Sequence, residues 1–401
     1  MTNSGRRRLR IGIISLTDPL IGGGRTYENL LVNSLVDGLN SKYDFVLFSP
    51  KIAGRKSVVS ISVKIRTVYY RCGPLNIALQ QIRNDPLIFR IMDKVKVARS
   101  DLEKRLLRER VDIAYFISPN SLAAGISDIP IISTIWDLAH VENPEFPEVT
   151  SRRRTEYRDL TYGRAARKSV AVVVDSPRGS RDVTRSFGVS PERTVVLPFT
   201  SIVKSWGVPT DPPGDYVIYP AQFWPHKNHV VLLEALSALL SSRRKAPRLL
   251  FVGDDKGNRN FIEERAHALG VWDLVEFAGF LSAEELRSRL LQARGLVMPS
   301  YFGPTNLPPI EALLSGIPVA VSTSDAVSEY ADGAAIQGIE PSDVEGWADA
   351  LEFFAMPGLA RPTQVPTDLK DAEPAHVILD RVFSGFVSKR STWCPDTYGW
   401  Q

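Results

Sequence analysis

Short runs rich in Val, Ile and Leu alternate with helix-like stretches along almost the whole chain. No other feature limits the fold as strongly. A strand that is apolar at every position must be covered on both faces. Helices between such strands do this when the strands run parallel. The first runs are Leu9–Leu16, Phe45–Phe48, Val58–Val63, Ile113–Ile117, Ile131–Ile135 and Ala171–Val174. Gly22-Gly23-Gly24 and an amphipathic stretch, Thr26–Leu39, follow the first of them. The architecture implied is α/β and doubly wound.

The alternation breaks once. Residues 198–215 hold Pro198, Gly207, Pro209, Pro212, Pro213 and Gly214 without periodicity, as an interdomain linker does. Strands are then expected at Tyr216–Tyr219, Leu249–Val252, Val275–Phe277, Leu296–Met298 and Val319–Val321. Helices are expected at Asn228–Ser241, Asn260–Leu269, Ala283–Ala293, Pro308–Leu314 and Asp343–Phe354. The reading is two Rossmann-like domains, residues 1–200 and 201–374, and a tail, 375–401. Pro357–Pro374 reads as loop, and the helix-like Ala375–Lys389 can pack back on the first domain. A length of 401 residues suffices for two such cores. Two facing sheets of this kind are expected to leave a cleft at their carboxyl ends, where open α/β sheets bind ligands.

Composition narrows the compartment. Apolar residues make up 44% and charged residues 23%, as in soluble globular proteins. Cys72 and Cys394 are too few and too distant for a disulfide framework, so reduced thiols in the cytoplasm are the simpler reading. Met1–Arg10 is polar and basic, and Arg10, Gly12 and Ser15 interrupt the run behind it, which argues against a secretory signal. No run approaches the length of a membrane span. The net charge of +4 is uneven: residues 1–110 carry 21 Lys/Arg against 9 Asp/Glu, and the remainder is acidic. Two kinds of partner, or merely solvated helix faces, account for this equally well.

Four segments carry chemistry. In Ser300-Tyr301-Phe302-Gly303-Pro304-Thr305-Asn306-Leu307-Pro308-Pro309-Ile310-Glu311-Ala312 a strand gives way to a helix. Proline suits a first helical turn and Asn306 suits its N-cap. Amides at Thr305, Asn306 and Leu307 would then meet a phosphate or sugar edge, and Glu311 would accept hydrogen bonds from vicinal hydroxyls. An ordinary capped helix with a surface Glu fits the same residues. In Tyr219-Pro220-Ala221-Gln222-Phe223-Trp224-Pro225-His226-Lys227-Asn228-His229, Lys227 stands where it would neutralise a diphosphate. His226 and His229 hint at metal, but no third ligand is evident, and packing or capping is the preferred reading. Gly22, Gly23 and Gly24 permit close backbone approach to a ligand, or form a plain turn. In Ile135-Trp136-Asp137-Leu138-Ala139-His140, followed by Asn143-Pro144-Glu145-Phe146-Pro147-Glu148, Asp137 or His140 would orient an acceptor hydroxyl or take its proton. A structural cap and a core histidine are the alternatives.

Together these segments resemble the retaining family 4 glycosyltransferases of the two-domain GT-B type, over nearly the whole chain and most strongly from Tyr216 to Ser322. The resemblance implies that Glu311, as the second Glu of a Glu-x7-Glu motif, holds the donor ribose. It implies that Lys227 holds the donor diphosphate and that Gly253, Asp254 and Phe280 line the nucleobase pocket. The first Glu of the motif falls at Gly303, the usual Gly-Arg reads Ala221-Gln222, and the usual His-Asp reads Trp136-Asp137.

The implied reaction is hexose transfer, of mannose or glucose type, from a nucleotide-diphosphate sugar to a hydroxyl of a saccharide or lipid-linked saccharide in cell-envelope glycan synthesis. Configuration is retained. Lys227, the helix terminus and the glycine turn would stabilise the departing diphosphate. No Asp-x-Asp occurs, which agrees with a metal-independent enzyme without other cofactor. The resemblance gives the first domain the acceptor. The basic, amphipathic stretch Ile88–Arg110 would lie on an anionic membrane from the cytoplasmic side, or turn its apolar face to the core. A nucleotide-sugar epimerase and a non-catalytic nucleotide-sugar-binding subunit are the rival readings. No nucleic-acid motif supports nucleic-acid binding.

Overall fold

The computed structural model describes residues 7–15, 22–52, 55–56, 63–71, 99–149, 152–203, 205–207, 209, 213–303, 305–330, 335–359, 369 and 371–392. Cys72, Cys394, Pro304, the basic 88–98, nearly all of Val58–Val63 and much of Pro357–Pro374 lie outside these residues. The chain divides into two compact units, Met1–Val141 with Arg152–Ile202 and Glu373–Gln401, and Glu142–Ser151 with Val203–Ala372.

The first unit begins with β1 (Arg10–Ile14), α1 (Gly22–Leu39), β2 (Asp44–Ile52), β3 (Arg55–Lys56) and β4 (Arg66–Arg71). It continues with α2 (Asp101–Arg108), β5 (Ile113–Phe116), β6 (Ile131–Thr134), α3 (Ala139–Glu142), α4 (Arg152–Lys168), β7 (Ala171–Val174), α5 (Pro177–Phe187) and β8 (Thr194–Val196). The sheet order is β3-β2-β1-β5-β6-β7-β8, with β4 also paired to β2. Every pairing is parallel except β2 with β3. Ile11, Ile13 and Ile14 on β1 and Ile113–Ile117 along β5 are wholly buried, as continuous apolar runs require.

Local chemistry sets the helix ends. Ser176 accepts from the Gly179 amide, Pro177 opens α5, and Gly188 closes it at φ 65°. The three glycines 22–24 lie within the first turn of α1 rather than in a loop before it. Helix α2 turns Leu102 and Leu106 into the cluster with Phe48, Val111 and Phe116. The apolar face of this part of Ile88–Arg110 is therefore spent on the core, which is the second of the two expectations for it. No helix among the described residues is long and apolar enough to cross a membrane.

The second unit holds β9 (Tyr216–Pro220), α6 (His229–Ser241), β10 (Arg248–Val252), α7 (Arg259–Ala268), β11 (Val275–Gly279), α8 (Ala283–Gln292), β12 (Gly295–Met298), α9 (Leu307–Leu314), β13 (Val319–Ser322), β14 (Ile336–Ile339) and α10 (Val344–Ala355). Its sheet is wholly parallel, in the order β11-β10-β9-β12-β13-β14. Leu232, Leu233 and Leu236 of α6 and Trp347, Leu351 and Phe354 of α10 are buried. A last helix, α11 (Ala375–Arg390), returns to the first unit and packs on α1. Lys42 and Tyr43 both bond Asp380 there, and Phe383 meets Tyr43 edge-on at 5.4 Å.

Candidate active site

Both sheets are doubly wound, so each has a point where successive connections leave in opposite directions and open a crevice. In the second unit that point lies between β9 and β12. The loops leaving these strands are 221–228 and 299–306, the two segments singled out in the sequence. They are bonded to each other. The Tyr301 amide donates to the His226 carbonyl at 2.9 Å. Asn228 donates to the carbonyls of Pro299 and Pro341 at 3.2 and 2.7 Å, from a left-handed backbone (φ 54°) that Asn tolerates. Lys227 Nζ donates to Asn306 Oδ1 at 3.1 Å, so a cation from one loop and the helix start from the other converge.

Asn306 occupies the N-cap position of α9, but its side chain makes no cap bond. Its oxygen goes to Lys227 and its amide to the buried Asp325. The expected capping role is therefore replaced by a cross-link between loops. Pro308 and Pro309 have no N–H, so α9 presents fewer free amides than a helix start usually does. Thr305 and Leu307 are buried beside them. Glu311, in the next turn, is 7% exposed. Burial pushes its carboxyl up to about 7.

Gly303 explains one departure from the family pattern. Its φ is +139°, a conformation that costs any L side chain strain. A Cβ built there would stand 3.9 Å from Lys227 Nζ. The loop is thus shaped for glycine, and a Glu at this position would need a different backbone.

The three nucleobase candidates differ. Gly253 is dictated by packing: a Cβ would come within 2.1 Å of the Ala221 carbonyl oxygen. We expect Gly253→Ala to displace the loop that carries Lys227 and to cost about 2–3 kcal/mol of stability in urea titration. A variant as stable as the parent would contradict this. Asp254 pairs with Lys256. Phe280 is 70% exposed, an apolar ring offered to solvent directly after β11.

Of the two histidines, His229 lies within the aromatic core, stacked on Phe223 at 4.6 Å, and burial with nearby Lys227 lowers its pKa to about 3. His226 stacks on Phe302 at 4.3 Å and bonds the Glu148 carboxylate through its backbone amide and Nδ1. Both are packed, as the preferred reading of them expected. Glu148 belongs to the ten residues 142–151 that the chain lends to the second unit. Burial would raise its pKa, but the bonds from His226 lower it further, so it stays ionised.

The first unit holds a separate cavity of about 260 Å³ at the carboxyl ends of β5 and β6. Ser118, Pro119, Trp136, Asp137, His140, Arg158 and Tyr162 line it. Asp137 caps the short α3 by accepting from the Ala139 amide at 3.0 Å. His140 is 2% exposed, and neither ring nitrogen has a hydrogen-bond partner among the described residues. Burial first, then Arg158, lower its pKa and keep it neutral near pH 7. A neutral imidazole facing a polar cavity can take a proton or a hydroxyl hydrogen bond. Gly22, Gly23 and Gly24 belong to the same unit, at the start of α1.

Sequence reading missed several residues here. Glu28 is wholly buried and bonds the hydroxyls of Ser15, after β1, and Ser118, after β5. A signal existed, because Glu28 sits among Tyr27, Leu31 and Leu35 on the buried side of α1. Arg158 and Tyr162 had none, since α4 is so basic that no single Arg stands out.

Residues 202–355 match the family model described as glycosyl transferases group 1. An MMP α-(1→4)-mannosyltransferase of Mycolicibacterium hassiacum is 29% identical over 185 residues, 45% of this chain and 44% of that one. A D-inositol 3-phosphate glycosyltransferase of Paenarthrobacter aurescens is 27% identical over 250 residues, 56% and 58% of the two chains. The chain spans about half the length of the curated relatives it matches. Among solved structures, sucrose-phosphate synthase of Thermosynechococcus elongatus superposes with a TM-score of 0.72 at 19% identity, covering 96% of this chain and all of that one. Anabaena HepE, solved with UDP and glucose, gives 0.66 at 14% identity, covering 95% and 100%. The two Rossmann-like sheets and these superpositions show the GT-B fold, and residues 202–355 of the chain are similar to the group 1 glycosyl transferases.

Proposed function

We propose that the protein transfers a hexose, with retention, from a nucleotide-diphosphate sugar to a hydroxyl of a saccharide or lipid-linked acceptor, without a metal ion. The observation that carries this is the convergence of Lys227 and Asn306 at the switch point of the second sheet. A fixed cation there stabilises the charge that grows on the departing diphosphate, and it needs no reorganisation at the moment of bond breaking. The Leu307 amide at the start of α9 adds a donor. Glu311 takes the ribose hydroxyls. UDP bound to HepE supports a nucleoside diphosphate as the ligand class.

In the first unit, the neutral His140 accepts the hydrogen of the acceptor hydroxyl, and Asp137 orients α3 beneath it. We expect His140→Ala to lower kcat by about 10²-fold and to leave donor KM unchanged in steady-state assays. An unchanged kcat would remove His140 from the reaction. The basic residues 88–98 are assigned to an anionic membrane surface, which would bring the enzyme to a lipid-linked acceptor in cell-envelope synthesis on the cytoplasmic face. Reversing Lys94 and Lys96 should abolish sedimentation with anionic liposomes.

The test of the function is release of nucleoside diphosphate from a panel of nucleotide sugars, with and without a lipid-linked saccharide. Turnover that depends on acceptor supports transfer. Donor binding without turnover would favour a binding subunit.

A further inference from the structure

We propose that Glu148 is a positioning residue for the donor-phosphate site, acting through His226 on the turn that carries Lys227. The inference rests on the reading of Lys227 as the diphosphate ligand, and it adds a segment that nothing in that reading includes.

Residues 142–149 follow the His140 cavity in sequence but pack in the second unit. Two of their side chains reach the two loops of the donor site, one each. Glu148 Oε1 accepts from the His226 backbone amide at 3.0 Å and from its Nδ1. Phe146 packs on Tyr301 at 5.3 Å and edge-on to Phe302 at 5.1 Å. His226 precedes Lys227, and Phe302 precedes Gly303. The segment therefore braces both sides of the Lys227–Asn306 link, over the backbone bond from Tyr301 to His226.

The chemistry of the brace favours positioning over stabilisation. The side chains of His226 and Glu148 are 12% and 9% exposed. A buried carboxylate returns little net stability even when hydrogen-bonded, because desolvation offsets most of the attraction. Glu148 Oε2 is buried with no hydrogen-bond partner among the described residues, which raises that penalty. What such a pair does well is select one geometry. A bond to both the amide and the ring of His226 fixes the backbone and χ angles of the residue beside Lys227.

The experiment compares Glu148→Ala and Glu148→Gln with the parent full-length chain. Hydrogen exchange reads the Tyr301 amide. Calorimetry reads UDP, GDP and ADP and their nucleosides, and assays read KM and kcat for the sugar donor. Glu148→Ala should speed exchange at Tyr301 and leave the β9 and β10 amides protected. It should weaken nucleoside diphosphate binding and raise donor KM about tenfold, with nucleoside affinity and kcat nearly unchanged. Glu148→Gln keeps an acceptor oxygen for His226 and should recover most of the affinity. Unchanged exchange at Tyr301, or equal losses for nucleosides and diphosphates, would overturn the proposal. If the parent binds no nucleoside diphosphate, the functional reading fails. Tyr301 exchange would then still decide whether Glu148 holds the turn.

Discussion

Lys227→Ala lowers kcat/KM for sugar transfer by roughly 10²–10³-fold, through loss of an electrostatic contact that strengthens as the leaving group departs. The structure makes this residue hard to replace. Its backbone carbonyl accepts from the buried Tyr219 hydroxyl, and its amine is bonded to Asn306 across the two loops. A positive charge delivered from a fixed turn is already oriented before the donor arrives. Lys227→Arg should recover only part of the loss, because a guanidinium is a broad fork where the ammonium is a compact charge. Folding should be little affected, because the Tyr219 bond uses the Lys227 carbonyl and survives truncation of the side chain. Steady-state kinetics with thermal unfolding separates the two effects. A variant that loses stability but keeps kcat/KM would make Lys227 structural.

Glu311→Gln should change both stability and donor affinity, and the two respond to pH differently. The folded-state pKa of Glu311 is about 7 against an ordinary value of 4.5. Between those values the folded chain holds a proton that the unfolded chain has released. Stability therefore falls as pH rises through this window, and the full penalty, about 3 kcal/mol, is present above pH 7. Gln carries no such penalty. Relative to the parent, the variant should gain about 3 kcal/mol in denaturant titrations between pH 4 and pH 8.5. Donor affinity goes the other way. The carboxylate accepts two hydroxyl hydrogens and the protonated acid accepts less well. Parent affinity should rise through pH 7, whereas the variant should be weak and flat. A parent whose donor affinity ignores pH would put the ribose elsewhere.

Much of this was legible in the chain. Both sheets could be read because their central strands are continuous apolar runs, and Ala171–Val174 needed no adjustment. The strands that escaped notice are peripheral. Arg66–Arg71 is flanked by arginines at an edge, Thr194–Val196 is three residues long, and Ile336–Ile339 contains Gln and Gly. None of these shows the burial on both faces that makes a strand conspicuous.

The site divides along similar lines. Lys227, Asn306 and Glu311 were visible because a strand, a short loop and a proline-opened helix frame them. The bond between Lys227 and Asn306 was not visible, because it joins residues 79 apart. The same holds for Glu148: its segment was singled out beside Asp137 and His140, but its bond to His226 joins residues 78 apart. Asn306 shows the limit of a local rule. Its residue type suited an N-cap, yet Lys227 and Asp325 offered its amide group charged partners, and these won over the helix amides. Gly303 shows the opposite limit. The sequence shows only that the motif's first Glu is replaced at Gly303, whereas the backbone at φ +139° favours glycine there and brings its loop toward Lys227.

The most direct measurement is nucleoside diphosphate release from a panel of nucleotide sugars by the parent chain and Lys227→Ala, with a lipid-linked saccharide as acceptor. The account predicts acceptor-dependent release from at least one donor, and a fall of at least about 10²-fold in kcat/KM for Lys227→Ala. No release from any donor, or equal release by the parent and Lys227→Ala, would contradict it.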